Sequence, residues 1–174
     1  IDEGEPLTPM RFTIISILGL AALWAFGVAG PGRAFAGEIA GRASVIDADT
    51  IEVHGRRIRL HGVDAPERGQ PCFMPNGAPW RCGQEGALAL SDFLAATVVS
   101  CVGVDTDRYG RMVADCTAND RDISAWLVSE GWAMAYRRYS TAHVDAKEAA
   151  RNARRGIWAG TVQPPWEWRL QRTH

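Results

Sequence analysis

An excess of charge of either sign is missing from this sequence. Its 174 residues hold 19 Lys and Arg against 20 Asp and Glu, a formal net charge of −1. No global field draws such a chain to a polyanion, so any anion site has to be a local patch. Internal repeats and low-complexity tracts are also absent, which excludes a repeat architecture. Cysteine is scarce, with four residues, and none forms a C-x-x-C pair. That spacing argues against a zinc site and makes disulfides the expectation in an oxidising compartment. The remaining composition, 47% hydrophobic and 22% charged, is ordinary for one globular domain.

Charge is locally absent as well. Residues 1–9 are acidic, contain two prolines and show no period, and read as a leader that is either untranslated or disordered. From Met10 the pattern is that of a signal peptide over residues 10–36. Arg11 supplies a positive start, Phe12 to Gly30 carries no charge, and Ala34-Phe35-Ala36 fits a small-x-small cleavage site before Gly37. Cleavage would leave residues 37–174 as a secreted or periplasmic domain without stable membrane contact. The alternative is an uncleaved anchor through residues 12–30, since that run is about as long as a spanning helix needs.

Within 37–174, Ile51 and Val53 alternate with Glu52 and His54. After a tight turn at Gly55-Arg56, Ile58 and Leu60 alternate with Arg57, Arg59 and His61. This is strand periodicity with one apolar face and one arginine-bearing face. Gly69 to Gly83 reads as a loop. Gln84 to Val98 reads as a helix with Ala87, Leu90, Phe93 and Leu94 on one stripe. A hairpin then turns over Asp107 to Gly110. A short helix follows, capped by Asp122 and stopped by Gly131. The segment "WAMAYRRY" is extended, and a last helix runs from about Ala142 to Arg155. The tail, with two prolines and three tryptophans, is expected to dock without regular structure. If the hairpin is centred between Arg108 and Tyr109, Cys101 faces Cys116 at a separation a disulfide tolerates. Cys72 is then left to pair with Cys82. The expected fold class is β-rich α+β, a five-stranded OB-type barrel with about three attached helices, an architecture that binds nucleic acids on one face.

Five stretches carry a family resemblance: "SVIDADTIEV", "RIRLHGVDAPE", "DRYGR", "LVSEGWAMAYRRYS" and "ARRGIWAG". In this order they resemble staphylococcal-nuclease-like domains (thermonucleases), roughly from Ala40 to Trp168. The resemblance implies an OB-fold nuclease that hydrolyses DNA and RNA without sequence preference, uses Ca²⁺ and leaves 3′-phosphate ends. It implies metal ligation by Asp49, Asp64 and the backbone carbonyl of Ala65, and catalytic roles for Glu67, Arg59 and Arg111. It implies substrate contacts by Arg108 and Tyr136. Ala48 stands where the family usually has glycine.

The chemistry of the residues agrees with that resemblance. An all-oxygen ligand set suits a hard cation, guanidinium forks suit phosphate, and a third carboxylate beside them can hold the attacking water. Arg137 and Arg138, with Tyr139, fit either a strand-binding groove or a plain exposed edge. Asp47 is expected to serve the turn or to support its neighbours, and Arg56, Arg57 and Arg68 to be solvated. The chain is expected to act as a monomer on DNA and RNA. The competing function is a catalytically weak or inactive OB-fold module that binds nucleic acid or protein.

Overall fold

The computed structural model describes residues 37–136 and 140–172. The leader and signal segments, together with Arg137, Arg138 and Tyr139, lie outside the described residues. In chain order the elements are β1 (Glu38–Asp47), β2 (Thr50–Val53), β3 (Arg56–Leu60), β4 (Val63–Asp64), β5 (Cys72–Phe73), β6 (Pro79–Trp80), α1 (Cys82–Leu94), β7 (Val98–Thr106) and β8 (Met112–Ala118). There follow β9 (Arg121–Asp122), α2 (Ile123–Ser129), β10 (Met134–Ala135), α3 (Val144–Asn152), a 3₁₀ turn (Gly156–Ala159) and α4 (Pro165–Gln171). No helix among the described residues is long and apolar enough to cross a membrane.

Five strands close into a barrel in the order β3-β2-β1-β7-β8, and β3 returns to β8 in parallel. The other pairings around the ring are antiparallel. This is the β-rich α+β barrel of the OB type, with four helices where about three were expected. The strand alternation explains the closure. Ile51, Val53, Ile58 and Leu60 are fully buried with Val99, Met112 and Ala114, and each large apolar side chain among them contributes about 1.5–3 kcal/mol. Arg59, between the buried Ile58 and Leu60 of β3, leaves the barrel on its charged side, opposite Thr50. The tight turn sits one residue earlier than the sequence suggests. Val53 pairs with Arg56, so His54 and Gly55 form the loop, both with positive φ, as a two-residue primed turn requires.

The β7–β8 hairpin keeps the expected Cys101–Cys116 pairing by a different route. The Asp107 amide donates to the Arg111 carbonyl and the Gly110 amide to the Asp107 carbonyl. Three residues therefore form the loop, with Gly110 at φ 78°, and the centre falls on Tyr109. Near the turn, Thr106 pairs with Met112 and Asp105 with Val113. A bulge between Gly103 and Asp105 shifts the ladder by one, so Cys101 meets Cys116. The Cys101–Cys116 disulfide spans 4.1 Å between Cα atoms. Cys72 is joined to Cys82 across 5.8 Å.

Two local expectations change. The stretch from Gly69 to Gly83 holds the small β5–β6 hairpin, and α1 begins at Cys82. The tail contains a true helix, α4, with proline in its first turn. Proline is pre-organised for that position and gives up no needed hydrogen bond there, so the Pro-Pro pair starts a helix where it had suggested irregular chain. The tail packs on a second apolar cluster of Cys72, Cys82, Met134 and Ile157, with Trp80, Trp158, Val162 and Trp166 against it. The last long helix is also shorter than expected, and of its alanine stripe only Ala150 is buried.

Candidate active site

Asp49 sits in the turn between β1 and β2, and Asp64 in β4, both buried. Short-range backbone bonds fix them. The Leu60 amide donates to the Asp49 carbonyl at 3.0 Å, and the Ala65 amide donates to Asp49 Oδ2 at 3.0 Å. The Thr50 hydroxyl donates to Asp49 Oδ1 at 3.0 Å. β4 is itself held by β10, with Met134 opposite Asp64. Ala48 needs no positive φ, because it is not among the residues that adopt one, and its buried methyl packs towards Gly86 of α1. The alanine is therefore accommodated without backbone strain.

Arg59 bridges the two aspartates. Its Nη1 lies 2.9 Å from Asp49 Oδ2 and its Nη2 lies 2.6 Å from Asp64 Oδ1. Glu67 follows on the next loop, braced by Gln70. The Glu67 amide donates to Gln70 Oε1 at 3.3 Å, and the Gln70 amide donates to the Glu67 carbonyl at 2.9 Å. Gln70 is buried and its Nε2 donates to the Gln163 carbonyl at 2.7 Å, tying the Glu67 loop to the tail. Helix α1 presses on the same loop. A Cβ at Gly83 would collide with the carbonyls of Pro66 and Glu67, so only glycine allows that approach.

A residue absent from the sequence-based site completes the cluster. Arg169 of α4 donates from Nη2 to Asp64 Oδ2 at 2.6 Å. Its Nη1 donates to Asp64 Oδ1 at 3.1 Å and to Glu67 Oε1 at 2.7 Å. No local signal marks Arg169. The tail that carries it was expected to be irregular, and its reach to Asp64 depends on how the α4 helix docks. Gln70 was missed for a related reason, since its role is bracing across long sequence separations.

Arg111 stands apart from the trio of carboxylates. Its Nε donates to Asp107 Oδ2 at 2.7 Å within the hairpin turn, and its guanidinium lies over the Tyr109 ring. Its charge still reaches the site: burial and Asp49 raise the Asp47 carboxyl, and Arg111 weakly opposes that rise. Arg108 is exposed and also lies over Tyr109. Tyr136 is stacked on Trp166 of α4, with ring centroids 5.0 Å apart, so one of its faces is covered by the tail. Arg68 is exposed, as expected, but its head group is not without partners. It donates to the Ile46 carbonyl at 2.5 Å and lies 3.7 Å from Asp47. A cleft of about 400 Å³ opens beside Glu67, lined by Ile46, Asp47, Arg68, Gly69, Trp168 and Arg172.

The electrostatics favour added positive charge. Burial pushes the Asp64 carboxyl up, with Asp49 adding to it, and the bonds from Arg169 and Arg59 offset this only in part. Burial and the neighbouring Asp49 likewise raise Asp47. Burial opposes the charged form of Arg59, but Asp49 and Asp64 more than compensate and hold it above the ordinary guanidinium range. Arg169 is raised in the same way, burial being outweighed by Asp64 and Glu67.

Among the described residues no group of three or more His, Cys, Asp or Glu is arranged to hold a metal ion. The reason is visible in the bonding: both oxygens of Asp64 and one of Glu67 are taken by guanidiniums. The donor set nonetheless fits a hard cation. It is all oxygen, it is deficient in positive charge, and a cationic group already sits between Asp64 and Glu67.

The family model described as staphylococcal nuclease homologue matches residues 57–160. The chain belongs to that family. Its matched span includes all of β3 but Arg56, together with Asp64, Glu67 and the β7–β8 hairpin, while Asp49 and Arg169 lie on either side of it. Among relatives, the chain is 42% identical over 123 residues to the "Succinoglycan biosynthesis protein ExoI" of Rhizobium meliloti (strain 1021), covering 69% of this chain and 64% of that protein. It is 33% identical over 133 residues to an "Uncharacterized endonuclease" of Escherichia coli O157:H7, covering 72% and 80%. It is 30% identical over 179 residues to the "Micrococcal nuclease" of Shigella flexneri, covering 92% and 95%. Coverage of some family members is partial: the match spans 33% of the "Probable staphylococcal-like nuclease CAN2" of Oryza sativa subsp. japonica.

Proposed function

We propose that the protein is a Ca²⁺-dependent nuclease that hydrolyses DNA and RNA phosphodiester bonds without sequence preference and leaves 3′-phosphate ends. The observation that carries this reading is Arg59 clamped between two buried aspartates, with Glu67 beside them at the edge of an open cleft. Nuclease-named relatives that match most of the chain support it.

Asp49, Asp64 and the Ala65 carbonyl would hold the cation, which supplies charge neutralisation at the phosphoryl oxygen. Arg59 is held at the site by its two aspartates, and the guanidinium protons not spent on them can meet negative charge as it builds on the phosphate. Arg111 is oriented through Nε by Asp107, which leaves the ends of its fork to meet a phosphate oxygen from the hairpin side. Glu67 is held by Gln70 and can orient a water and accept its proton. Arg108 extends the positive rim, and the Arg68 and Arg172 side of the cleft can follow the strand's phosphates. None of these groups reads base edges, which accords with nonspecific recognition.

Export as a monomeric domain after cleavage before Gly37 belongs to the same proposal, and the two disulfides support an oxidising compartment. N-terminal sequencing of the protein recovered from the cell exterior or periplasm should begin at Gly37; recovery with residues 12–30 attached would favour the anchored form. The activity is tested by incubating purified residues 37–174 with single- and double-stranded DNA and RNA, then identifying the ends. Products with 3′-phosphate support the reading. Products with 5′-phosphate, or tight binding without cleavage, would sink it in favour of another hydrolytic geometry or a binding module.

A further inference from the structure

Asp64 is the most buried carboxylate of the site, at 0% exposure, and Arg169 takes both of its oxygens while also reaching Glu67. A cation held by Asp64 needs those same oxygens. A guanidinium and a divalent ion cannot both take that edge of the carboxylate, and their like charges repel at such a distance. We propose that Arg169 is a built-in counter-cation: its guanidinium neutralises Asp64 and Glu67 until a divalent cation takes Asp64, so that the two compete for one place. The inference rests on the Ca²⁺ reading of the site.

The tail is built so that the side chain can leave while its helix stays. Upstream of Arg169, Phe73 and Thr161 exchange backbone bonds, Gln70 holds the Gln163 carbonyl, Pro165 is buried, and Trp166 stacks on Tyr136. These anchors do not involve Arg169. Its own side chain is 38% exposed, so its long stem can rotate the head into water. Arg59 is a poor candidate for the same role, because its side chain is 18% exposed and is held between two aspartates. In the cation-free protein Arg169 spares Asp64 the cost of a buried, under-compensated charge. When the cation is bound that service is redundant, and the Glu67 carboxylate is released from Arg169 to face a water.

Calorimetric titration of Ca²⁺ into residues 37–174 at pH 8 tests the competition. Arg169→Ala should bind Ca²⁺ at least about tenfold more tightly than wild type, since removing the competitor frees oxygens and removes a like charge. Arg169→Lys should fall between, because a single ammonium cannot span both carboxylates as a fork does. A second readout is thermal: Arg169→Ala should melt below wild type in chelator, and the gap should close in saturating Ca²⁺. Equal or weaker Ca²⁺ binding by Arg169→Ala, with wild type binding normally, would overturn the inference and leave the Ca²⁺ reading standing. Absence of Ca²⁺ binding in both proteins would overturn the two together.

Discussion

Arg59 bonds two buried aspartates, so its removal should act on stability and on turnover together. Arg59→Ala leaves Asp49 and Asp64 facing each other with one partner lost, and breaking such a buried pair costs about 3–5 kcal/mol. Urea denaturation should show that loss, and cleavage should fall by at least about two orders of magnitude, as for one oxyanion-type donor. Arg111→Ala should separate the two effects. It should cost a similar factor in cleavage with a much smaller change in urea midpoint, because Arg111 bonds the turn and not the buried pair; unchanged cleavage by that variant would remove it from the phosphate site. At this scale the sequence displays Asp49, Asp64, Arg59 and Glu67 because they fall within one 19-residue stretch, on adjacent strands and turns whose alternation can be read directly. Arg169 arrives from 105 positions away from Asp64. Its place depends on how a short helix docks on a cluster of tryptophans, and side-chain periodicity carries no information about that.

The β7–β8 hairpin shows how an element can be legible in outcome and not in detail. The cysteine pairing was readable from register, but a three-residue loop and a compensating bulge produce it, and nothing in "VGVD" marks the bulge. The loop depends on Asp107, whose Oδ1 accepts from the amides of Tyr109 and Arg111, both at 2.9 Å. Burial alone would raise this carboxyl, but those amides and the Arg111 side chain overcome it and hold it below 3.8. A depressed folded value means that the ionised form stabilises the fold. That contribution is fully present above about 3.8 and is lost as pH falls through the lower folded value. Asp107→Asn should therefore cost about 1–2 kcal/mol near neutrality, and the difference from wild type should shrink on acid titration below the ordinary carboxylate range. A constant difference across that range would contradict the assignment. In α1, Gly83→Ala tests the contact that holds the Glu67 loop. Overpacking against fixed backbone should cost about 1–3 kcal/mol and depress cleavage as well, because the atoms displaced belong to Glu67 and Pro66; a stability loss with full activity would show that Glu67 is placed independently of α1.

For the whole molecule, barrel closure brings the two ends of the site together: β3 pairs with β8 across the seam, and Arg59 lies opposite Val113 there, two residues from Arg111. Two covalent links support that arrangement. The Cys101–Cys116 bridge closes a separation of 15 residues, for which the chain-entropy model gives about 3 kcal/mol, so peptide mapping without reductant should find both pairs and reduction should lower the urea midpoint. The barrel was legible because alternation, turn residues and five ordered motifs agree. The tail was not, because its contribution is made by contacts between distant segments. The most direct measurement is the rate of DNA cleavage by wild type and by Glu67→Ala, each in Ca²⁺ and in chelator. Wild type should cut only in Ca²⁺, and Glu67→Ala in Ca²⁺ should be slower by at least about two orders of magnitude. Equal rates for the two proteins, or full wild-type cleavage in chelator, would contradict a cation-assisted hydrolysis at this cluster.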